Sequence, residues 1–93
     1  MVAAEMVKLP AELTHDTPVP QLLEQLVAAS PQQGGVAVDA SGLTRLDSSC
    51  VALLLEWQRR LGGRGQSLTV HGAPSTLAEL LQVYGAQELI QIA

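Results

Sequence analysis

Three helical patterns alternate with short apolar runs along this 93-residue sequence, and that order constrains the fold more than any other feature. Apolar residues recur at helical spacing in the longer segments, whereas the short runs are bounded by turn residues. Such alternation with short connections is typical of βαβ units in a largely parallel or mixed sheet. We predict these elements: one or two edge strands in Met6–Leu13, a helix starting near Val19-Pro20 and ending before Ser30-Pro31, a strand at Val36–Asp39, a helix from Asp47 or Ser48 to about Leu61, a strand at Ser67–His71, a helix at Pro74–Tyr84 and a strand at Leu89–Ile92.

The composition fits one small domain with an aliphatic core. Of all residues 47% are apolar, but there is no Phe and only one Trp and one Tyr, so Leu, Val and Ala must fill the interior. We treat residues 1–93 as a single domain whose first five residues are loosely held. In the third helix, one face collects the residues expected to pack: Leu77, Leu80, Leu81 and Tyr84.

The charges and the single cysteine exclude several functional classes. A net charge of −4 argues against nucleic-acid binding, because the only cationic cluster is Arg59, Arg60 and Arg64. One cysteine cannot form an intramolecular disulfide and is typical of a reducing compartment. The longest apolar run, Val51–Leu55, is too short to cross a bilayer, and no leader peptide is evident. We therefore expect a cytoplasmic chain that does not insert into a membrane.

The second predicted helix has two different sides. At about 100° per residue, one arc collects the residues that we assign to the core: Cys50, Val51, Leu53, Leu54, Trp57 and Leu61. An interior tryptophan usually finds one polar partner for its indole N–H, and we expect this of Trp57. The opposite stripe, predicted to point outward, contains Ser48, Ala52, Leu55 and Arg59. A small residue, an exposed leucine and an arginine in line are suited to docking a partner. The alternative is ordinary surface, because single exposed leucines are common.

The start of this helix carries the polar residues Asp47, Ser48 and Ser49. Free backbone N–H groups and the positive end of the helix dipole favour an anion or phosphate there. The three residues are therefore suited to cap the helix, to accept a phosphoryl group or to contact a partner. Residue chemistry alone leaves these roles open.

No pattern indicates catalysis or metal binding. No histidine lies near Asp47 and Ser48 in the sequence, so they do not form a catalytic pair. Cys50 falls on the core arc, where thiols are usually inert. His15 and His71 are isolated from other ligand residues, so we expect neither a metal site nor a cofactor.

Two further motifs have structural interpretations. The segment Gly62-Gly-Arg-Gly65 follows a helix and lacks the Lys-Ser/Thr of a phosphate loop, so it is predicted to end the helix. Asp39 lies at the end of a predicted strand. We expect its side chain to anchor the following loop by hydrogen bonds.

A family resemblance is carried by two motifs, Val36-Ala-Val-Asp39 and Leu46-Asp-Ser-Ser-Cys-Val-Ala-Leu-Leu-Leu55. Together with the Ser-Gly-Leu loop between them, they resemble the signature of the STAS domain family. This family includes cytoplasmic domains of sulfate transporters and bacterial anti-sigma-factor antagonists. The resemblance extends in general pattern from Lys8 to the C-terminus. It implies an α/β, STAS-like fold in which helices pack against a four- or five-stranded mixed sheet.

Within the family, the sequence is most similar to the small stand-alone STAS subunit of the Mla phospholipid-transport ABC system. The resemblance implies a non-enzymatic subunit that binds the cytoplasmic ATPase of the transporter and reaches the inner membrane only through that complex. It also implies that Ser48, the hydroxyl residue after Asp47, is a sensitive position at the contact. Combined with the outward stripe, it predicts these partner-binding residues: Asp47, Ser48, Ser49, Ala52, Leu55 and Arg59.

Two alternatives remain open at this stage. The first is an anti-sigma-factor antagonist that binds a kinase and cycles between free and phosphorylated Ser49, the hydroxyl that matches the phosphorylated serine of that branch. Ser48 is a second candidate position for phosphorylation. In that branch the motif continues with Gly-Leu, whereas here Cys50-Val51 takes its place. Because cysteine is bulkier than glycine, we expect it to hinder the close approach of a kinase. The second alternative, of a different class, is an enzyme or nucleotide binder in its own right.

Overall fold

The computed structural model describes residues 6–93, and the expectation of a loosely held start concerns residues 1–5, which lie outside the described residues. The elements follow the predicted order, with one addition, the two-residue strand β4. They are β1 (Val7–Lys8), β2 (Glu12–Leu13), α1 (Val19–Ala29), β3 (Val36–Asp39), β4 (Arg45–Leu46), α2 (Ser48–Gly62), β5 (Leu68–His71), α3 (Ser75–Val83) and β6 (Gln91–Ile92).

Four strands form a sheet in the order β1-β3-β5-β6. Each neighbouring pair in it runs parallel. β2 and β4 pair separately, also in parallel, with Leu13 opposite Leu46. The predicted α/β architecture, with helices packed against a four- or five-stranded sheet, is confirmed. The prediction allowed a largely parallel or a mixed sheet. Within residues 6–93 every strand pair is parallel.

The central strands bury alternate side chains on one face of the sheet. Val36 and Val38 of β3 lie opposite Leu68 and Val70 of β5, and all four side chains are buried. The residues between them are only half-buried. α2 contacts both α1 and α3, so it lies at the centre of the helix layer. The core therefore fills the space between this layer and one face of the sheet.

The predicted core arc of α2 is confirmed, because the following residues are buried: Cys50, Val51, Leu53, Leu54, Trp57 and Leu61. The indole Nε1–H of Trp57 donates to Ser30 Oγ at 3.0 Å, which supplies the expected polar partner. The Ser30 hydroxyl donates in turn to the carbonyl of Leu26 at 2.8 Å. These two bonds tie the end of α1 to the middle of α2.

The turn after α2 forms as predicted. The amide of Gln66 donates to the carbonyl of Leu61 at 2.9 Å, which folds the glycine-rich segment back onto the helix end. Gly65 takes a φ of 74° there, a conformation that glycine adopts without strain. None of the helices in residues 6–93 has the length and apolar character needed to span a bilayer.

The C-terminal part departs from the prediction at two residues. α3 ends at Val83 because Gly85, with a φ of 69°, closes the helix. Tyr84, which was expected on the packing face, therefore lies at the helix cap and is 58% exposed. Leu89 was expected in the last strand, but it lies in a turn and is 62% exposed. The strand itself begins at Gln91.

Candidate functional site

Asp47 is the residue that starts α2. Its Oδ1 accepts the amide N–H of Ser49 at 2.8 Å, and its backbone carbonyl accepts the amide N–H of Cys50 at 3.0 Å. Its own amide donates to the carbonyl of Leu13 at 3.2 Å, which continues the pairing of β2 with β4 up to the helix. Of the two caps that the sequence allowed, Asp47 or Ser48, the structure uses Asp47.

His15 belongs to the same site, although 32 residues separate it from Asp47. Its amide donates to Asp47 Oδ2 at 2.9 Å, and its Nδ1 lies 3.1 Å from the same oxygen. Its Nε2 lies 3.5 Å from a carboxylate oxygen of Asp16. No sequence pattern indicated this contact, because His15 has no ligand-like spacing to another residue along the chain. The contact depends on β2 pairing with β4, so no local spacing could reveal it.

These contacts shift the pKa values of both side chains. The pKa of the Asp47 carboxyl is lowered, first by the amide of Ser49 and then by the amide and ring of His15. The pKa of His15 is raised, mainly by its hydrogen bond to Asp47 and further by the charge of Asp16. Asp47 therefore remains ionised at neutral pH, where its negative charge faces the positive end of the α2 dipole.

The two serines after Asp47 differ in accessibility. Ser48 is exposed, and its hydroxyl takes part in none of the side-chain hydrogen bonds found in residues 6–93. Ser49 is half-buried, and its backbone amide is bonded to Asp47. Neither hydroxyl caps the helix, because the Asp47 carboxylate already fills that role. Ser48 is therefore the hydroxyl more open to a partner or a modifying enzyme.

The outward stripe of α2 is less apolar than predicted. Ser48, Ala52 and Arg59 are exposed, as expected. Leu55 is only half-buried rather than exposed, and it packs against the core, so the expectation of a fully exposed leucine was wrong. The reason is that Leu55 lies one turn after the buried Val51 and shares its row on the helix. The freely accessible part of the stripe is therefore polar and small.

Arg59 does not present a free positive charge. Its Nε lies 3.1 and 3.0 Å from the two carboxylate oxygens of Glu56, and its Nη2 also bonds that carboxylate. The hydrogen bond from Arg59 is the main cause of the lowered pKa of Glu56. Sequence reasoning did not single out Glu56, although its spacing of three residues from Arg59 is a known pairing distance. Because exposed ion pairs are weak, a partner carboxylate can compete for Arg59.

An open groove borders the start of α2. It lies between the β2–α1 loop, β4 and the start of α3. Three threonines contribute to its lining, and they are Thr14, Thr44 and Thr76. Asp16, Arg45 and Asp47 add charges of both signs. Such a lining can bond polar groups of a partner. Within residues 6–93, no hydrogen bond joins His15 to a serine hydroxyl, as the activation of a serine nucleophile by histidine would require.

Two candidates away from this site have structural roles. Asp39 Oδ1 accepts the amide of Ser41 at 2.9 Å and its hydroxyl at 2.6 Å, which confirms that Asp39 anchors the loop after β3. The hydrogen bond from the Ser41 hydroxyl is also the main cause of the lowered pKa of Asp39. Cys50 is buried, and this burial raises the pKa of its thiol to about 12. The thiol is therefore protonated and unreactive at neutral pH.

Comparison with known proteins identifies a family and a fold. The family described as "Mlab, STAS domain" matches residues 2–91. The chain is similar in structure to the anti-sigma factor antagonist SpoIIAA in its unphosphorylated form, with a TM-score of 0.71 and 21% identity over 100% of this chain and 84% of that one.

A second similar structure is an anti-sigma-factor antagonist (STAS) domain protein from Planctomyces limnophilus. The TM-score is 0.71 and the identity 24%, over 92% of this chain and 79% of that one. At these identities, the two structures support the fold alone. No curated protein sequence matches this chain significantly.

Proposed function

The chain belongs to the MlaB-type STAS domain family, and from this premise we propose that it is a non-enzymatic assembly and regulatory subunit of an Mla-type phospholipid-transport ABC complex. In this proposal it binds the cytoplasmic ATPase subunit through the start and the outward side of α2. The chain is then held at the inner membrane only through that complex. The chemistry of ATP hydrolysis belongs to the partner.

The observation that carries the proposal is the exposed hydroxyl of Ser48 at a helix start that is fixed from two directions. Asp47 bonds the first turn of α2 on one side and the β2–α1 loop on the other, through Ser49 and His15. The buried side of α2 holds the rest of the helix in the core. A partner that docks here loses little free energy to ordering this surface, because its backbone is already held in place.

The composition of the surface also favours a protein partner. Ala52 lies one turn after Ser48 and is exposed, so another backbone can approach the helix closely at this point. Arg59 lies two turns further and exchanges its Glu56 partner for a carboxylate of the other protein. Leu55 contributes only the part of its side chain that the core leaves uncovered. We infer an interface that is polar at its start and apolar near its middle.

A phosphorylation-switched antagonist is the second candidate function. Its phosphorylated serine matches Ser49, which is half-buried, and the observation in its favour is the accessible hydroxyl of the neighbouring Ser48. The side chain of Cys50, whose bulk is expected to hinder the close approach of a kinase, is buried in the core. A phosphate on Ser48 would face the α2 dipole, but it would lie beside the ionised Asp47. Incubation with an anti-sigma-factor kinase and ATP tests this candidate. Stoichiometric addition of phosphate at Ser48 or Ser49, read by mass spectrometry, would favour the antagonist.

The main proposal is tested by co-expression with the ATPase subunit of an Mla-type ABC transporter from the same organism. We expect a tagged wild-type chain to retain the ATPase through size-exclusion chromatography, and Ser48→Arg and Ala52→Arg to lose it while keeping the wild-type unfolding midpoint. Both positions are exposed, so the added side chains do not disturb the core. Ala28→Arg is the matched control, since Ala28 is an exposed alanine on α1. Retention of the ATPase by both α2 variants would refute this interface.

A further inference from the structure

Large exposed apolar side chains concentrate at the end of α3 and around β6. Val83 is 78% exposed, Tyr84 58%, Leu89 62% and Ile92 41%. We name these four residues the α3–β6 patch. In the register of the sheet, Ile92 lies opposite Val70, whose side chain is on the helix-covered face. α3 connects β5 to β6. Ile92 therefore lies on the helix side of the sheet, at the β6 edge, and the other three residues belong to the end of α3 and to the turn that leads into β6.

Two acidic residues accompany this patch. Glu79 lies one turn before Val83 on α3, and Glu88 directly precedes Leu89. Both are exposed, and within residues 6–93 neither takes part in an ion pair, whereas Glu12, Glu24 and Glu56 each bind an arginine. The C-terminal end of α3 adds partial negative charge, and its last turn contains no basic residue. The patch is therefore apolar and is flanked by negative charge from Glu79, Glu88 and the end of α3.

The negative charge beside the patch favours one kind of binding partner over the others that could cover an apolar surface. A second copy of the chain would bring Glu79 and Glu88 near their own equivalents, which costs free energy. An anionic bilayer would repel the same carboxylates. A protein segment with apolar residues flanked by lysine or arginine satisfies both the exposed side chains and the carboxylates.

We propose that the α3–β6 patch is a second protein-docking surface, which binds an apolar segment of another protein bearing flanking lysine or arginine residues. It is separate from the α2 surface, because its residues come from α3, the following turn and β6. The carboxylates of Glu79 and Glu88 orient the segment by its charges. Val83 and Leu89 supply the apolar contact, since they are the most exposed of the four patch residues.

The test uses the isolated chain and three short synthetic peptides with the same leucine pattern and with lysine, glutamine or glutamate at the other positions. Backbone amide NMR spectra are recorded during each titration. We expect the lysine peptide to shift signals from residues 79–92 and the glutamate peptide to shift none. The double change Glu79→Gln and Glu88→Gln should weaken lysine-peptide binding roughly two- to tenfold. The double change Val83→Ser and Leu89→Ser should abolish it.

The matched control is the double change Glu12→Gln and Glu24→Gln, which alters the net charge equally at residues outside the patch and should leave the affinity unchanged. Several results would overturn the proposal: equal binding of the three peptides, shifts centred on α2, or no binding at all. Concentration-dependent shifts of residues 79–92 without peptide would identify a second copy as the occupant. Binding to neutral phosphatidylcholine vesicles that the serine variant loses would identify a bilayer. None of these outcomes depends on the ATPase, so the α2 proposal is judged separately.

Discussion

α2 buries six apolar residues on one side, whereas on the other it exposes Ser48, Ala52 and Arg59. On the buried side, the six residues belong to the hydrophobic core, and Trp57 bonds Ser30 at the end of α1. On the exposed side, the side-chain bonds that the stripe makes within residues 6–93 join neighbours on the helix itself, Arg59 and Glu56. One helix thus separates the residues that hold the fold from those available to a partner.

The difference between the two sides of α2 indicates whether a mutation affects the stability of the fold or the binding of a partner. A change on the buried side removes packing that nothing else replaces, so it lowers the free energy of unfolding. A change on the exposed side leaves the core intact, so it acts on binding alone. Asp47 stands between these extremes, because it is part of the surface and also holds the helix start.

The largest expected effect is that of Leu54→Ala. Leu54 is fully buried on α2, and its truncation leaves a cavity, so we expect the free energy of unfolding to fall by about 2–5 kcal/mol. Urea unfolding followed by the fluorescence of Trp57, the single tryptophan, measures the change. Ala52→Arg is the contrasting variant, with a change of less than about 0.5 kcal/mol. Similar losses in both variants would mean that the two sides of α2 do not differ as described.

A smaller effect is expected from Ser30→Ala. The indole N–H of Trp57 loses its acceptor inside the core, and a buried donor without a partner costs about 1–3 kcal/mol. Adding Trp57→Phe to this variant removes the unpaired donor. The double-mutant cycle should therefore show coupling between the two residues, with a double variant less destabilised than the sum of the single ones. Simple additivity would show that the bond contributes nothing specific.

Much of the fold was predictable because its signals are local. The helical spacing of the apolar residues in α2 indicated the buried side, and Asp47 followed by two serines indicated the helix start. Gly62-Gly-Arg-Gly65 likewise indicated the helix end. Each of these features depends on residues within a single element or at its ends, where periodicity and turn residues are informative.

The parts that were missed depend on contacts between distant residues or on exact helix limits. β4 contains only two residues and exists through its pairing with β2. The contact of His15 with Asp47 follows from that pairing. Leu55 was expected to be exposed, because the width of the buried arc cannot be fixed from spacing alone. Tyr84 was expected to pack, but α3 ends one residue before it.

His15→Gln should have a pH-dependent effect on stability. The folded pKa of His15 is raised, so its ionic contacts stabilise the native state fully below the unfolded pKa of 6.5 and are lost as the pH rises through the raised value. The pKa of Asp47 is lowered, so its contribution is present above 3.8 and is lost as the pH falls through the lowered value. We therefore expect wild type and variant to differ more in urea midpoint at pH 5 than at pH 9. A difference that grows with pH would contradict the assigned contacts.

The smallest expected effect on stability is that of Ser48→Ala. Its hydroxyl caps nothing, since the Ser49 amide is bonded to Asp47, so the free energy of unfolding should change by less than about 0.5 kcal/mol. From the sequence alone, Ser48 was a candidate for the residue that caps α2. Because the structure shows that Asp47 caps the helix, Asp47→Ala is the change that should clearly lower the urea midpoint. If Ser48→Ala weakens ATPase binding at an unchanged midpoint, the hydroxyl acts at the interface. If it lowers the midpoint as much as Asp47→Ala does, Ser48 helps to hold the helix start, and the separation of the two sides of α2 does not extend to its first residue.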